Sequence, residues 1–163
     1  MLAVSNTSPI SNLASIGRLE LLKPQFATTW IPDAVAKELA AHPDPVAREA
    51  IQNAIRENWL KVETLQDSRL LQVLQLQLHL GEAAAIALAT NLKADIVLID
   101  EQQGRELASK TGLAVTGVLG ILLRAKRTGE IAAVKTEIDF LRSKAHFFVS
   151  STLEAKVLAA AGE

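Results

Sequence analysis

The sequence contains no cysteine, no long hydrophobic run and no low-complexity segment. Without cysteine the chain has neither disulfide bonds nor thiolate metal sites, which is compatible with a reducing cytosol. Residues 1–5 lack the basic region and apolar core of a signal peptide, and no apolar run approaches the roughly 20 residues of a membrane span. We therefore expect a cytoplasmic protein with no membrane partner. The net charge of −1 gives no sign of the basic surface typical of many nucleic-acid-binding proteins.

Apolar residues are abundant, at 49% of the 163 residues, and we expect a single domain over residues 1–163. Short runs typical of strands alternate with helical patterns along the chain. The strands are predicted at residues 2–4, 27–31, 60–63, 94–99 and 113–115. This alternation predicts an α/β fold, with a mostly parallel sheet and helices on both of its faces.

The longest helices are predicted from capping and breaking signals between these strands. The starting signals are Ser8 as an N-cap before Pro9, Asp44 before residues 46–57, and a capping box from Ser151 to Glu154. Residues 70–80 alternate partly like a strand, but we favour a helix that Gly81 ends. Two leucines of this segment, Leu71 and Leu76, lie off its main apolar stripe. They predict either a partner surface or burial from a second side.

Oxygen-bearing side chains follow predicted strands or open predicted helices at several places. They are Asn6, Thr7 and Ser8 after the first strand, Asp100 and Glu101 after the apolar run Ile96–Ile99, Glu82 in the first turn of the apolar helix 81–91, and Glu38 beside the apolar stripe of helix 32–41. In parallel α/β sheets the carboxyl ends of the strands form the usual ligand-binding edge. Carboxylate and amide oxygens without cysteine or clustered histidine suit Mg²⁺ or Mn²⁺. The three histidines are scattered, and we do not expect them to be ligands.

Each of these residues also has a structural interpretation. Glu82 suits the positive end of a helix, and Asp100 suits the N-cap of the helix that follows it. The segment Asn6-Thr7-Ser8 is compatible with ordinary turn and capping chemistry. Spacing alone therefore does not decide between a metal site and a set of helix caps.

Five segments, in order along the chain, resemble the motifs of PIN-domain proteins. They are residues 4–10 with Leu13 and residues 16–19, residues 32–39 with Glu38-Leu39, residues 81–89, residues 94–101 with Gly104 and Arg105, and residues 117–126, which look like a feature of a little-characterised prokaryotic PIN-like subgroup of toxin-type ribonucleases. No single motif is specific, but the ordered set is.

The resemblance implies a three-layer α/β/α sandwich and an endoribonuclease that depends on Mg²⁺ or Mn²⁺. It implies the catalytic residues Glu38, Glu82 and Asp100, the metal ligands Asn6, Glu82, Asp100 and Glu101, and the substrate-binding residues Thr7, Ser8 and Arg105. Many relatives are toxins of toxin–antitoxin pairs and act as dimers. The implied partners are thus an RNA substrate, an antitoxin protein and a second copy of the chain.

One residue departs from the family pattern. The first motif normally carries an aspartate where this chain has Asn6, which brings an oxygen but no charge, so metal affinity should fall. The alternative function is therefore a catalytically weakened or inactive PIN-like module that binds RNA or a protein. Two further points stay open: whether Asp100 or Glu101 is the fourth acid, and whether Arg105 contacts phosphate or pairs with Glu101.

Overall fold

A five-stranded parallel sheet forms the centre of the computed structural model, which describes all residues from 1 to 163. The strand order is β3-β2-β1-β4-β5. The strands are β1 (Leu2–Ser5), β2 (Thr28–Pro32), β3 (Leu60–Glu63), β4 (Ile96–Leu98) and β5 (Val115–Thr116). The predicted α/β class and the parallel sheet are confirmed.

The central strand β1 pairs with β2 on one side and with β4 on the other, with Val4 opposite both Trp30 and Val97. The chain first builds the sheet outwards from β1 to β3 and then returns to add β4 and β5 on the opposite side. A crevice forms where strand order reverses in this way, outside the carboxyl ends of the two strands concerned. The carboxyl ends of β1 and β4 are therefore the expected position of a ligand site.

Ten α-helices surround the sheet. They are α1 (Thr7–Ser15), α2 (Leu22–Gln25), α3 (Asp33–Ala40), α4 (Pro45–Arg56), α5 (Arg69–Gln75), α6 (Leu80–Asn91), α7 (Gln102–Lys110), α8 (Val118–Arg127), α9 (Val134–Ala145) and α10 (Ser151–Ala161), and a short 3-10 turn at Leu19–Leu21 precedes α2. None of these helices is long and apolar enough to cross a lipid bilayer.

The sheet separates two hydrophobic cores, which confirms the three-layer arrangement. Ala3 and Leu98 belong to the core that contains α1, α4, α8 and α9, whereas their neighbours Val4 and Val97 belong to the core that contains α5 and α6. This division follows from the pleat, because successive side chains of a strand point to opposite faces. Both faces of the central strands are thereby covered, as the continuous apolar run in β4 predicts.

Three predicted helix signals are wrong. Helix α1 begins at Thr7 after Asn6, so Ser8 is not its N-cap, and α10 is capped by Ser150, whose hydroxyl accepts from the Leu153 N–H, rather than by Ser151. Gly81 does not end a helix: α5 already ends at Gln75, and Gly81 lies in the first turn of α6. Of the two leucines off the stripe, Leu71 is buried and Leu76 is 81% exposed.

An ion pair between Arg18 and Glu137 ties the start of the chain to α9. The guanidinium donates to both carboxylate oxygens at 2.8–3.1 Å, and the Glu137 side chain is buried while that of Arg18 is 42% exposed. Bidentate pairs of this kind are stronger than ordinary surface ion pairs.

Arg18→Ala should lower the free energy of unfolding by about 1–2 kcal/mol, because it leaves a buried carboxylate without its ion-pair partner. Urea unfolding measures the change. Lys37→Ala is the control, since its pair with Asp33 is long, at 3.7 Å, and the lysine is 80% exposed. It should change stability by less than about 0.5 kcal/mol. Equal effects of the two substitutions would contradict this account.

Candidate functional site

A polar pocket of about 440 Å³ opens at the carboxyl ends of β1 and β4. Its lining combines residues from four separate stretches of the chain: Asn6, Ser8, Glu38, His79, Leu80, Gly81, Glu82 and Glu101. The parallel sheet brings these stretches together, because β1 and β4 end at the same edge and α1 and α6 begin there. Most of the predicted site residues therefore lie around one pocket.

Asn6 links two of these stretches through its backbone and its side chain. Its backbone N–H donates to the carbonyl of Leu98 at 3.0 Å, which joins the end of β1 to the end of β4. Its side-chain Nδ2 donates to Glu101 Oε2 at 3.2 Å. The amide at this position thus supplies a hydrogen bond to a neighbouring carboxylate, which an aspartate would not do.

Hydroxyl groups in the first turn of α1 hold two of the acids. Thr7 Oγ1 donates to Glu38 Oε2, and Ser8 Oγ donates to Glu101 Oε1. Both Glu38 and Glu101 are otherwise exposed to solvent on the rim of the pocket. Thr7 and Ser8, predicted to bind substrate, thus lie beside the pocket. Their hydrogen-bond partners within the chain are Glu38 and Glu101.

Glu82 lies deepest among the pocket carboxylates, with 8% of its surface exposed. Burial raises the pKa of Glu82, and the negative charges of Glu101 and Glu38 raise this pKa further, whereas a backbone hydrogen bond from His79 and the charge of that imidazole lower it. His79 also lines the pocket, although its sequence position gave no reason to expect this. Three acids thus act on one another in a small volume.

Two glycines make room for these acids. A Cβ atom at Gly81 would lie 2.9 Å from Glu38 Oε1 and 3.2 Å from Asn6 Oδ1, and one at Gly104 would lie 2.8 Å from Glu82 Oε1. These separations are shorter than ordinary van der Waals contact with carbon, so any side chain there would displace a carboxylate. Neither role is predicted by the sequence, in which Gly81 also suits a helix end.

Asp100 is set apart from this pocket. Its Oδ1 accepts from the backbone N–H of Val118 at 2.7 Å and its Oδ2 accepts from Asn12 Nδ2 at 3.0 Å, so both oxygens are engaged. Asp100 therefore caps α8 rather than the helix that follows it in sequence. It lines an adjoining depression of about 320 Å³ together with Glu101.

Burial raises the pKa of Asp100 to about 6, and the charge of Glu101 adds to this pKa shift, while the hydrogen bonds from Val118 and Asn12 and the charge of Arg105 oppose it. Glu101 lines both the pocket that contains Glu82 and the depression that contains Asp100. Of the two consecutive acids, Glu101 lines the pocket with Glu82, and Asp100 does not.

The ion pair between Arg105 and Glu101, one of the two contacts considered for this arginine, is not formed. Arg105 Nη1 donates instead to the carbonyl of Ile99 at 2.9 Å. It lines a further depression that also contains Asp100 and Gly117. The guanidinium is thus fixed near the acidic site through a backbone carbonyl.

The donor set fits a hard divalent cation in its chemistry, because carboxylate and amide oxygens converge on one pocket that glycines keep open. No group of three or more Asp, Glu or His side chains is arranged so that it could hold a metal ion. Glu38 and Glu101 instead face the hydroxyl groups of α1. The pocket thus offers ligands of a type that a divalent cation prefers, and two of its carboxylates are hydrogen-bonded to protein hydroxyl groups.

Relative to its value at about pH 4, the difference in stability between Asp100→Asn and the wild type should shift in favour of the variant as the pH rises to about 6. In this range the unfolded chain ionises Asp100, whose ordinary pKa is 3.8, while the folded protein holds it protonated up to about pH 6, so the wild type loses stability as the pH rises. This shift should reach at most about 3 kcal/mol and stay constant at higher pH. Urea unfolding across this pH range, in chelator, measures it. The exposed Glu49→Gln is the control, and parallel curves for both variants would contradict the assignment.

The comparison with known proteins agrees with this architecture. A family model described as a PIN domain matches residues 2–163. No curated protein matches the chain significantly. The PIN domain is a nuclease fold, in general that of metal-dependent nucleases. Because the match covers nearly all of the chain, and the parallel sheet carries its acids at the expected edge, the chain belongs to the PIN-domain family.

Proposed function

We propose that the protein is a metal-dependent endoribonuclease of PIN type that uses Mg²⁺ or Mn²⁺. The observation that carries the proposal is the convergence of Asn6, Glu38, Glu82 and Glu101 on one pocket at the strand-order reversal. The raised pKa of Glu82, caused first by burial and then by Glu101, supports it further. Perturbed carboxyl groups in a cleft are typical of functional sites.

The proposed metal ligands are Asn6, Glu82 and Glu101, with Asp100 adjoining them. A bound Mg²⁺ or Mn²⁺ supplies positive charge for the phosphodiester and a water molecule of lowered pKa. Glu101 is the better placed of the two consecutive acids, because it is exposed and lines the same pocket as Glu82, whereas Asp100 does not line that pocket.

Glu38 is the proposed general base, which orients and deprotonates the attacking water. It lies on the exposed rim of the pocket, and the hydroxyl of Thr7 fixes its carboxylate from one side. Ser8 holds Glu101 in the same manner. Arg105, which lines a depression together with Asp100, is the proposed contact for a phosphate of the RNA. Asp100 itself acts by positioning, since it joins the end of β4 to α1 and α8.

A second candidate function rests on Asn6. This residue removes one negative charge from the ligand set, and its amide donates to Glu101. A protein with the same fold and a weaker metal site would bind RNA or a protein without cutting it. Asn6→Asp distinguishes the two functions, because it should create strong Mn²⁺ binding only if the wild type lacks it.

Purified protein should cleave single-stranded RNA in the presence of Mn²⁺, and Glu38→Gln should slow cleavage by about 100-fold or more, because it removes the proposed base. Glu82→Gln should slow cleavage as well and raise the Mn²⁺ concentration needed for half-maximal rate. A gel assay with a labelled RNA measures both effects.

Glu106→Gln is the matched control, since Glu106 is an exposed acid on α7 whose partner is Gln102. It should cleave at the wild-type rate. Equal rates for Glu38→Gln, Glu82→Gln and the wild type would overturn the nuclease proposal. Tight RNA binding without cleavage, together with metal binding that appears only in Asn6→Asp, would favour the second function.

The biological role we propose is that of the toxin component of a toxin–antitoxin pair, acting in the cytoplasm as a homodimer. The partners would be cellular RNA and an antitoxin protein. Support for an interaction surface comes from exposed apolar side chains near α5, namely Val73, Leu76 and Leu80. Exposed apolar clusters of this kind are typical of protein contact sites.

Induced expression of the wild type in a bacterial host should arrest growth, because uncontrolled RNA cleavage stops translation. Glu38→Gln, expressed to the same level, should allow growth, and Glu106→Gln should arrest it. Colony counts and an immunoblot for protein level give the comparison. Arrest by all three proteins would show that the effect does not depend on the acidic site.

A further inference from the structure

The connection between α9 and α10 places an exposed aromatic ring beside the acidic site. Phe148 lines two depressions, one of about 320 Å³ with Ser8, Asp100 and Glu101, and one of about 330 Å³ with Asp100 and Arg105. Phe148 therefore borders the region where Glu101 leads into the main pocket. Residues 146–149, called here the aromatic loop, carry it.

The aromatic loop is held at both ends. His146 adopts a left-handed conformation, with φ of 52°, which ends α9 and lets the Phe147 N–H donate to the Leu141 carbonyl at 3.1 Å. On the other side, Arg142 Nη2 donates to the Val149 carbonyl at 3.1 Å, and the Val149 side chain is buried. These contacts hold the backbone on both sides of Phe148.

The two phenylalanines of the loop have different environments. Phe147 packs against the core that contains α8 and α9, whereas Phe148 is 85% exposed. An exposed phenylalanine forgoes the stabilisation that its burial would give, and it contributes little to folding here. The loop thus presents one aromatic face to solvent next to Glu101 and Asp100.

We propose that Phe148 is a stacking platform for a nucleobase of single-stranded RNA bound at the acidic site. This inference rests on the proposed function, since it names how the same site holds its substrate. Aromatic side chains stack on any unpaired base, and such contacts are largely independent of sequence. Arg105 lies in one of the depressions that Phe148 borders and supplies a positive charge for a neighbouring phosphate.

The position of the ring favours RNA as its occupant. Phe148 adjoins the acids that would act on the phosphodiester, so a strand with its backbone at Glu101 would bring a flanking base to the ring. The acids repel the phosphate backbone, and a contact to the uncharged base offsets part of that repulsion. The platform is thus a substrate-binding element for single-stranded, and not duplex, RNA.

The test is equilibrium binding of a fluorescent single-stranded RNA in EDTA, where cleavage is absent. Phe148→Ala should weaken binding by about 10-fold, and Phe148→Trp should keep or improve it, because tryptophan also stacks. An abasic RNA of the same length should bind the wild type and Phe148→Ala equally. Duplex RNA should likewise show no difference between these two proteins.

The matched control is Phe140→Ala, which removes another exposed phenylalanine, on α9, that lines neither depression. It should bind RNA as the wild type does. Urea unfolding should show that Phe148→Ala is as stable as the wild type, so that lost binding is not lost folding. Light scattering of both variants reports whether either ring contributes to self-association.

The outcomes separate the platform from the function on which it rests. Wild-type RNA affinity in Phe148→Ala overturns the platform and leaves the nuclease proposal intact. Altered self-association in Phe148→Ala with unchanged RNA affinity overturns it too, and assigns the ring to a protein contact. If the wild type binds RNA through Phe148 but does not cut it with Mn²⁺, the platform is supported and the nuclease proposal falls. A wild type that binds no single-stranded RNA in EDTA overturns the platform, and the cleavage assay with Mn²⁺ then decides the nuclease proposal independently.

Discussion

Several carboxylates are crowded at the carboxyl ends of β1 and β4, and the rest of the site depends on how their mutual repulsion is offset. Thr7 and Ser8 donate to Glu38 and Glu101, Asn6 donates to Glu101, and Asn12 and the Val118 N–H donate to Asp100. Most of these donors belong to the start of α1 or to the residue before it. Glu82, the most buried acid of the pocket, accepts none of these hydrogen bonds, and its pKa is raised, as is that of Asp100. The first turn of α1 is therefore the element that allows acids from distant segments to share one edge of the sheet.

Close packing around these acids explains why small residues surround them. Side chains at Gly81 or Gly104 would collide with Glu38 and Glu82, and a Cβ atom at Gly117 would lie 2.5 Å from Asp100 Oδ1. The backbone can approach each carboxylate only because these positions lack a side chain. The acids are thus placed by the helices and loops that face them as well as by the strands that carry them. On the outer side, the aromatic loop and Arg105 extend the same site towards solvent.

Much of the fold was predictable from the sequence, because it depends on local patterns. The β-branched run before Asp100 predicted a doubly covered strand, and the apolar helix that contains Glu82 is buried from Gly81 to Ala89. Helix ends were less predictable. Ser8, Gly81 and Ser151 are residue types common at helix ends, but the helices begin or end at other residues. Gly81 is the clearest example. Glycine is common at helix ends, but here its lack of a side chain leaves room for Glu38 and Asn6.

The sequence by itself determined the succession of strands and helices along the chain, the parallel sheet covered by helices on both faces, and the set of oxygen-bearing residues at strand ends. These follow from periodicity and from residue type, both of which are local. Only the tertiary structure decided that Glu101 shares a pocket with Glu82, that Asp100 caps α8, and that His79 and Phe148 border the site. Asp100 and Glu101 are adjacent acids that the sequence does not distinguish, yet in the folded chain their side chains contact different segments. Their partners, Val118 for Asp100 and Ser8 for Glu101, come from segments that only the folded chain brings together.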